Sequence, residues 1–98
     1  DYNAALAWKD AFRDRYLATA PDIDGVIGLT APEVAPVGLE NLGNPLICSP
    51  ASCMGAPAIT LPALSAADLP LGLQLIGYHG RDADLFALAN WVDDALAR

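Results

Sequence analysis

The sequence predicts an α/β fold, on three observations. Helical apolar periodicity occupies both ends of the chain. Short apolar runs rich in Val, Ile and Leu lie between them, at 24–29, 57–61 and 71–78. Proline and glycine punctuate the joints. Helix, strand, loop, short helix, strand, strand, helix is the order that results, and it makes the chain α/β or α+β.

The first helix is expected from Tyr2 to about Ala18. Ala5, Trp8, Phe12 and Tyr16 recur at helical spacing, with Lys9, Asp10, Arg13 and Asp14 on the other side. An aromatic stripe of this kind is expected to be core rather than binding surface. Ala20-Pro21-Asp22 closes the helix, because the residue before a proline is pushed out of the α region. Asp24 to Leu29 is expected to be a short buried strand. A long loop follows, marked by Pro32, Pro36, Pro45, Gly38 and Gly43. Loops of that length in a compact domain tend to be functional or held by neighbours.

Pro50 to about Met54 suits a short helix with Ser49 as N-cap and Gly55 as terminator. Pro57 to Leu61 is expected to be a strand closed by Pro62, and Ser65 to Asp68 a polar turn. Leu71 to Tyr78 is expected to be a longer strand that pairs with it as a hairpin. Pro62 and Pro70 limit pairing near that turn. After the turn His79-Gly80-Arg81, Asp82 is the expected N-cap of a last helix running to about Ala97. Leu85, Leu88, Val92 and Leu96 form its buried stripe, widened by Phe86 and Trp91.

Ninety-eight residues make a single segment, 1–98, without repeats or low-complexity tracts. Hydrophobic residues reach 54%, rich for a chain this short, so part of the apolar surface is expected to face a partner or a second copy. A net charge of −7 argues against nucleic acid and against an anionic membrane surface. No apolar run approaches the roughly 20 residues a membrane helix needs. There is no signal-peptide pattern, and a start at Asp1 rather than Met suits a fragment or a processed product. Cys48 and Cys53 are expected to be reduced thiols of a cytoplasmic protein.

The chemistry-bearing motifs are mostly excluded. GxxxxGK[ST], GxGxxG after a strand and GxSxG do not occur. One His, two Cys and scattered carboxylates lack metal-ligand spacing, so neither metal nor cofactor is expected. A Cys53–His79 dyad requires the two to meet in space; the plainer reading of His79 is a surface turn. Gln74, inside an apolar strand, must find partners for its amide, most simply from loop backbone. Thr30 falls just past the end of the first strand, where α/β folds place ligand crevices.

Three stretches, in order, resemble the amidase signature family. In Asp24 to Pro36, the residues Asp24, Val26-Ile27, Thr30, Pro32 and Ala35-Pro36 match, with Leu29 in place of a proline. In Ser52 to Pro62, the residues Gly55, Pro57, Ala58 and Pro62 match, with Ser52 in place of asparagine. Leu69 to Gly77, followed by Asp84-Leu85, is the closest of the three. The resemblance implies the C-terminal portion of a large domain, a mixed β-sheet flanked by helices. It implies an enzyme that cleaves amide C–N bonds with a serine nucleophile, a second serine in a cis peptide and a lysine base. None of these is carried over: the lone lysine, Lys9, lies on the first helix outside any serine-rich context. On this resemblance the chain supplies fold and pocket wall, with no catalytic residue. Thr30, Ser52, Cys53, Met54 and Gly55 are the candidate pocket residues, and a small-molecule amide is the expected substrate of the full-length enzyme.

Within the family, a free amidase, a ureide-type hydrolase and the glutaminase-type component of a tRNA-dependent amidotransferase remain open. Outside it stand a non-catalytic binding or oligomerisation module, and a small hydrolase built on Cys53 and His79. A homo-oligomer is expected, since a segment cut from a sheet exposes its edges.

Overall fold

A computed structural model describes residues 1–38, 40 and 49–97. It contains α1 (Tyr2–Leu17), β1 (Val26–Leu29), α2 (Ser49–Met54), β2 (Ala58–Ala66), β3 (Leu69–Ile76) and α3 (Asp82–Leu96). Gly43, Pro45 and Cys48, in the expected long loop, lie outside the described residues.

The expected α/β class is what forms: one three-stranded sheet with helices packed around it. The strand order is β1-β3-β2, and both pairings are antiparallel. Leu75 stands opposite Ile27 on one side and Ile59 on the other; Gln74 stands opposite Gly28 and Thr60. Directly opposed residues share a face. One face therefore carries Ile27, Leu29, Ile59, Leu61, Leu73 and Leu75. The other carries Val26, Gly28, Ala58, Thr60, Gly72, Gln74 and Ile76.

The apolar face receives α3. Leu85, Ala89 and Val92 are buried against Leu75, with Ile59, Leu61, Leu73 and Leu88 packed around them. Leu75, at 1% exposure, is the centre of the core. The stripe ends a turn sooner than its periodicity implies, because Leu96 is 52% exposed while Ala89 is buried. Arg81, not Asp82, occupies the N-cap position, without a side-chain cap bond. Asp82 and Asp84 fall in the first turn instead, where the helix dipole favours negative charge.

The β2–β3 hairpin is longer than the sequence suggests. Ser65 and Ala66 pair with Pro70 and Leu69, so the turn shrinks to Ala67 and Asp68. Both have positive φ, 52° and 63°, the geometry whose twist suits a two-residue hairpin loop. The pairing limit expected at Pro62 is met by a register shift between Leu61 and Leu64. A bulge there accommodates a residue with no N–H to give the ladder.

Two expectations of burial fail. β1 is an edge strand, with Val26 and Ile27 at 40% and 57% exposure. Its apolar composition marks it for a sheet, but among the described residues only β3 pairs with it. Likewise α1 buries none of its residues. Trp8 stacks on Phe12, centroids 5.2 Å apart and planes 7° from parallel, yet Trp8 remains 64% exposed. The periodicity identifies the shared face of the helix; it does not supply the surface that covers it. Tyr16, last of the stripe, is the residue that reaches the sheet. Its hydroxyl donates to the carbonyls of Ile76 (3.1 Å) and Gly77 (2.8 Å).

The outcome is a slab of 42 × 36 × 16 Å. Its accessible surface is 6996 Å² at 10.2 kDa, against roughly 5,300 Å² for a compact monomer of that mass.

Candidate functional site

The sheet face opposite α3 is low because two of its positions are glycine. β1 and β2 flank β3, so side chains from the outer strands can meet only by crossing above the central one. Thr30 and Thr60 do so. The Thr30 hydroxyl donates to that of Thr60 at 3.2 Å, while the Thr30 backbone N–H donates to Gly72 O at 2.9 Å. Gly72 lies under this bridge. A Cβ there would come within 2.6 Å of both Thr30 Oγ1 and Thr60 Cγ2, closer than real Cβ atoms approach. The bridge therefore requires glycine at 72. Beside it, a Cβ added at Gly28 would meet nothing within 4 Å. Gln74, across from Thr60, is 5% exposed, and no buried side-chain polar atom among the described residues lacks a partner. Its expected structural role in satisfying the polar interior fits that burial.

A second locus forms where α2 ends. Gly55 has φ +68°, and its N–H donates to Ser52 O while Ala56 N–H donates to Ala51 O. This paired arrangement closes a helix with a left-handed residue, which glycine adopts without penalty. Met54 is turned inward at 8% exposure. Together they wall a cavity of about 430 Å³ with Arg13, Asp14 and Leu17 of α1 and with His79. An adjoining cavity of about 560 Å³ runs from Gly55 and Pro57 past His79 to Asp82. His79 stands between the two.

Of the residues the sequence singled out, Met54 and Gly55 line the same cavity. Ser52 and Cys53 lie on α2 but are exposed and line neither cavity. Thr30 belongs to the sheet face, not to the α2 cavity. Cys53 carries a free thiol, and the cavities that His79 lines do not include it, so the geometry does not bring the Cys53 thiol to the imidazole. Among the described residues no cluster of three His, Cys, Asp or Glu could hold a metal ion. No helix among them is long and apolar enough to cross a membrane.

Sequence reasoning missed Thr60 and Gly72, whose significance needs the three-strand register. It also missed the tyrosine pair. Tyr16 and Tyr78 stack at 4.7 Å, and the Tyr78 hydroxyl is 2.6 Å from that of Thr19. Burial, then the neighbouring Tyr78, pushes the Tyr16 phenol up to about 12 from 10.0. The two loci offer hydroxyls, a carboxamide and an apolar wall, and among the described residues that line them no nucleophile is set beside a base.

No protein-family model matches the chain. Individual relatives do. It is 33% identical over 96 residues to the A component of glutamyl-tRNA(Gln) amidotransferase from Legionella pneumophila (strain Corby), covering 91% of this chain and 20% of that protein. It is 36% identical over 96 residues to the protein of the same name from Exiguobacterium sibiricum, covering 91% of this chain and 20% of that protein. A crystal structure of an amidase matches 97% of this chain and 25% of its own, with a TM-score of 0.83 and 27% identity. Sequence and fold together bear out the resemblance to the amidase signature family. The chain spans about a fifth of the length of the curated relatives it matches.

Proposed function

We propose that this chain is the C-terminal, wall-forming segment of a hydrolase acting on amide C–N bonds, in which it shapes the pocket while the nucleophile and base come from elsewhere. The observation that carries this reading is the agreement of sequence and fold over more than nine-tenths of the chain with glutamyl-tRNA(Gln) amidotransferases and an amidase. The chemistry of the segment agrees with it. Its single lysine, Lys9, sits on the exposed helix α1, and its polar groups are of the kind that hold a neutral ligand rather than attack it. The substrate in this reading is a small-molecule amide, the compartment is the cytoplasm, and no nucleic acid or membrane surface is engaged by a chain of charge −7.

The test is a chimaera. The matching fifth of the Legionella relative is replaced by this chain, and ammonia release from primary amides is measured. Hydrolysis that disappears when the host's nucleophile is substituted supports the reading. A folded chimaera that releases no ammonia overturns it.

One observation favours a second reading, an assembly module without catalysis. Trp8, Phe86 and Trp91 are all more than 60% exposed, and surface of that kind is expected to be covered. On this reading the chain forms a defined homo-oligomer by itself, with no need of the other part of an amidase.

A further inference from the structure

We propose that the chain pairs with a second copy of itself by laying the outer ridge of α1 into a groove beside α3, with Trp8 set on Trp91 and Arg15 beside Asp84 and Asp24. The inference deepens the assembly reading and rests on it; it does not draw on the hydrolase reading.

The groove is a cavity of about 500 Å³ between α3 and the connection from α1 to β1. Asp84, Ala87, Leu88 and Trp91 form one wall, at i, i+3, i+4 and i+7 of the helix. Ile23 and Asp24 belong to the other. The helical row runs from a carboxylate to an indole, seven residues or about 10 Å along α3. Arg81 Nε donates to Asp84 Oδ2 at 3.0 Å. Asp24 has no ion pair or side-chain hydrogen bond among the described residues, so the groove holds a carboxylate that nothing on this chain neutralises.

The ridge is built to the same spacing. Ala4, Trp8, Ala11 and Arg15 recur at i, i+4, i+7 and i+11 of α1, and all four are exposed. Between the small alanines, the ridge offers an indole and a guanidinium, again seven residues or about 10 Å apart. Trp8 is stacked on Phe12 at 5.2 Å, which orders the ring before association and lowers the entropy lost on docking. Arg15 has no ion pair among the described residues, whereas Arg13 pairs with Asp10. With the two helices antiparallel, the rows match: indole against indole, guanidinium against carboxylates.

Charge selects this occupant. α3 carries four carboxylates and no cation, and α1 carries three cations against two carboxylates. Two chains of −7 repel at an arbitrary contact, so self-association requires surfaces of opposite sign, which α1 and α3 supply. A two-fold axis uses the contact twice, each chain giving its ridge and its groove. The area suffices. The surface in excess of a compact monomer, about 1,700 Å², exceeds the roughly 800 Å² that one partner buries in a standard interface.

The test is sedimentation equilibrium of the chain at up to about 1 mM, where twice 10.2 kDa is expected. Arg15→Asp and Asp24→Arg, both at exposed residues, each raise the dissociation constant roughly tenfold or more, because like charges then oppose at both contacts. Mixed one to one, the two variants pair again: one contact is the parental pair, and the other is the same pair with its charges exchanged. Trp8→Ser and Trp91→Ser give a measure without charge. Each weakens the dimer, and together they weaken it less than their separate effects predict, because both remove one contact.

A chain that stays monomeric overturns this proposal and the assembly reading together. A dimer that neither charge change weakens, or variants that remain apart on mixing, overturns the α1–α3 contact and leaves the assembly reading standing. A mass that climbs past two chains overturns the two-fold pairing. The hydrolase reading is tested by ammonia release alone and stands or falls separately.

Discussion

Replacing Tyr16 with phenylalanine removes one oxygen and tests how α1 is held. The helix buries none of its residues; it packs on α2, and its last turn makes its bond to the sheet. The Tyr16 hydroxyl spans the carbonyls of Ile76 and Gly77 at 3.1 and 2.8 Å, joining segments far apart in the chain. One shared hydrogen bond contributes about 1 kcal/mol net, and leaving two half-buried carbonyls without it brings the loss to about 1–2 kcal/mol. For a chain of this length each kcal/mol lowers the melting temperature by about 4–8 °C. The ring stack on Tyr78 survives the change, so the loss reports the hydroxyl alone. The same group gives a pH signature. Its pKa is raised from 10.0 to about 12 by burial and by Tyr78, so the folded chain holds the phenol proton more tightly than the unfolded one. That stabilisation is whole below pH 10.0 and is lost as pH rises toward about 12. Thermal melts by circular dichroism, run across that window, check both parts. Tyr16→Phe should melt lower at neutral pH and show a flatter alkaline decline than the parent. Tyr2→Phe, at a residue 75% exposed, is the control without effect. A Tyr16→Phe chain that melts with the parent and keeps its alkaline slope would refute the reasoning.

Three further outcomes are expected. Gly72→Ala places a methyl within 2.6 Å of Thr30 Oγ1 and Thr60 Cγ2, which forces the bridge apart and costs about 1–3 kcal/mol in denaturant melts; a neutral result shows that the threonines turn aside freely. Leu85→Ala empties a position 3% exposed against Leu75 and costs about 2–5 kcal/mol, enough to abolish a cooperative transition in a chain with so small a core. The isolated chain associates with itself in light scattering, and Trp8→Ser with Trp91→Ser reduces its mass; a clean monomer of 10.2 kDa contradicts this.

Much of the fold was legible because its signals are local. The first helix, the stop at Gly55 and the hairpin each follow from a few neighbouring residues: apolar residues at helical spacing closed by Ala20-Pro21, a left-handed glycine, two apolar runs around a turn. The errors concern what lies beyond the local run. DGVIGL has the composition of a buried strand, and in this chain it is an edge. The stripe Ala5-Trp8-Phe12-Tyr16 has the spacing of a core face, yet Tyr16 is the member that bonds to the sheet, and Trp8 is left exposed on Phe12. Both are statements about a neighbour, and periodicity contains no neighbour.

The site was legible in part for the same reason. Gly55 announces a helix end from its place after an apolar turn, and Met54 follows it into the cavity. Thr30 is marked by its position past a strand. Thr60 and Gly72 have no local mark at all. Their relation exists only once Thr60 stands opposite Gln74 on one strand pair and Gly28 opposite the same Gln74 on the other, so that two outer strands reach over one glycine.

The excess surface and the unburied aromatics have a common origin. About 1,700 Å² separates the observed area from that of a compact monomer, roughly twice the 800 Å² or so that one partner buries in a standard protein interface. The described chain covers one sheet face with α3 and leaves β1, the aromatic side of α1 and the outer side of α3 without full cover. A sequence selected as a free monomer would place charge or proline on such surfaces. Here they carry Ile27, Trp8, Phe86 and Trp91. The same argument separates the two readings of function. If that surface fits the other part of an amidase domain, the chimaera becomes more stable than the isolated segment and stays as monomeric as its host. If it fits a second copy, association saturates at a fixed number of chains, and fusion to the host leaves it intact.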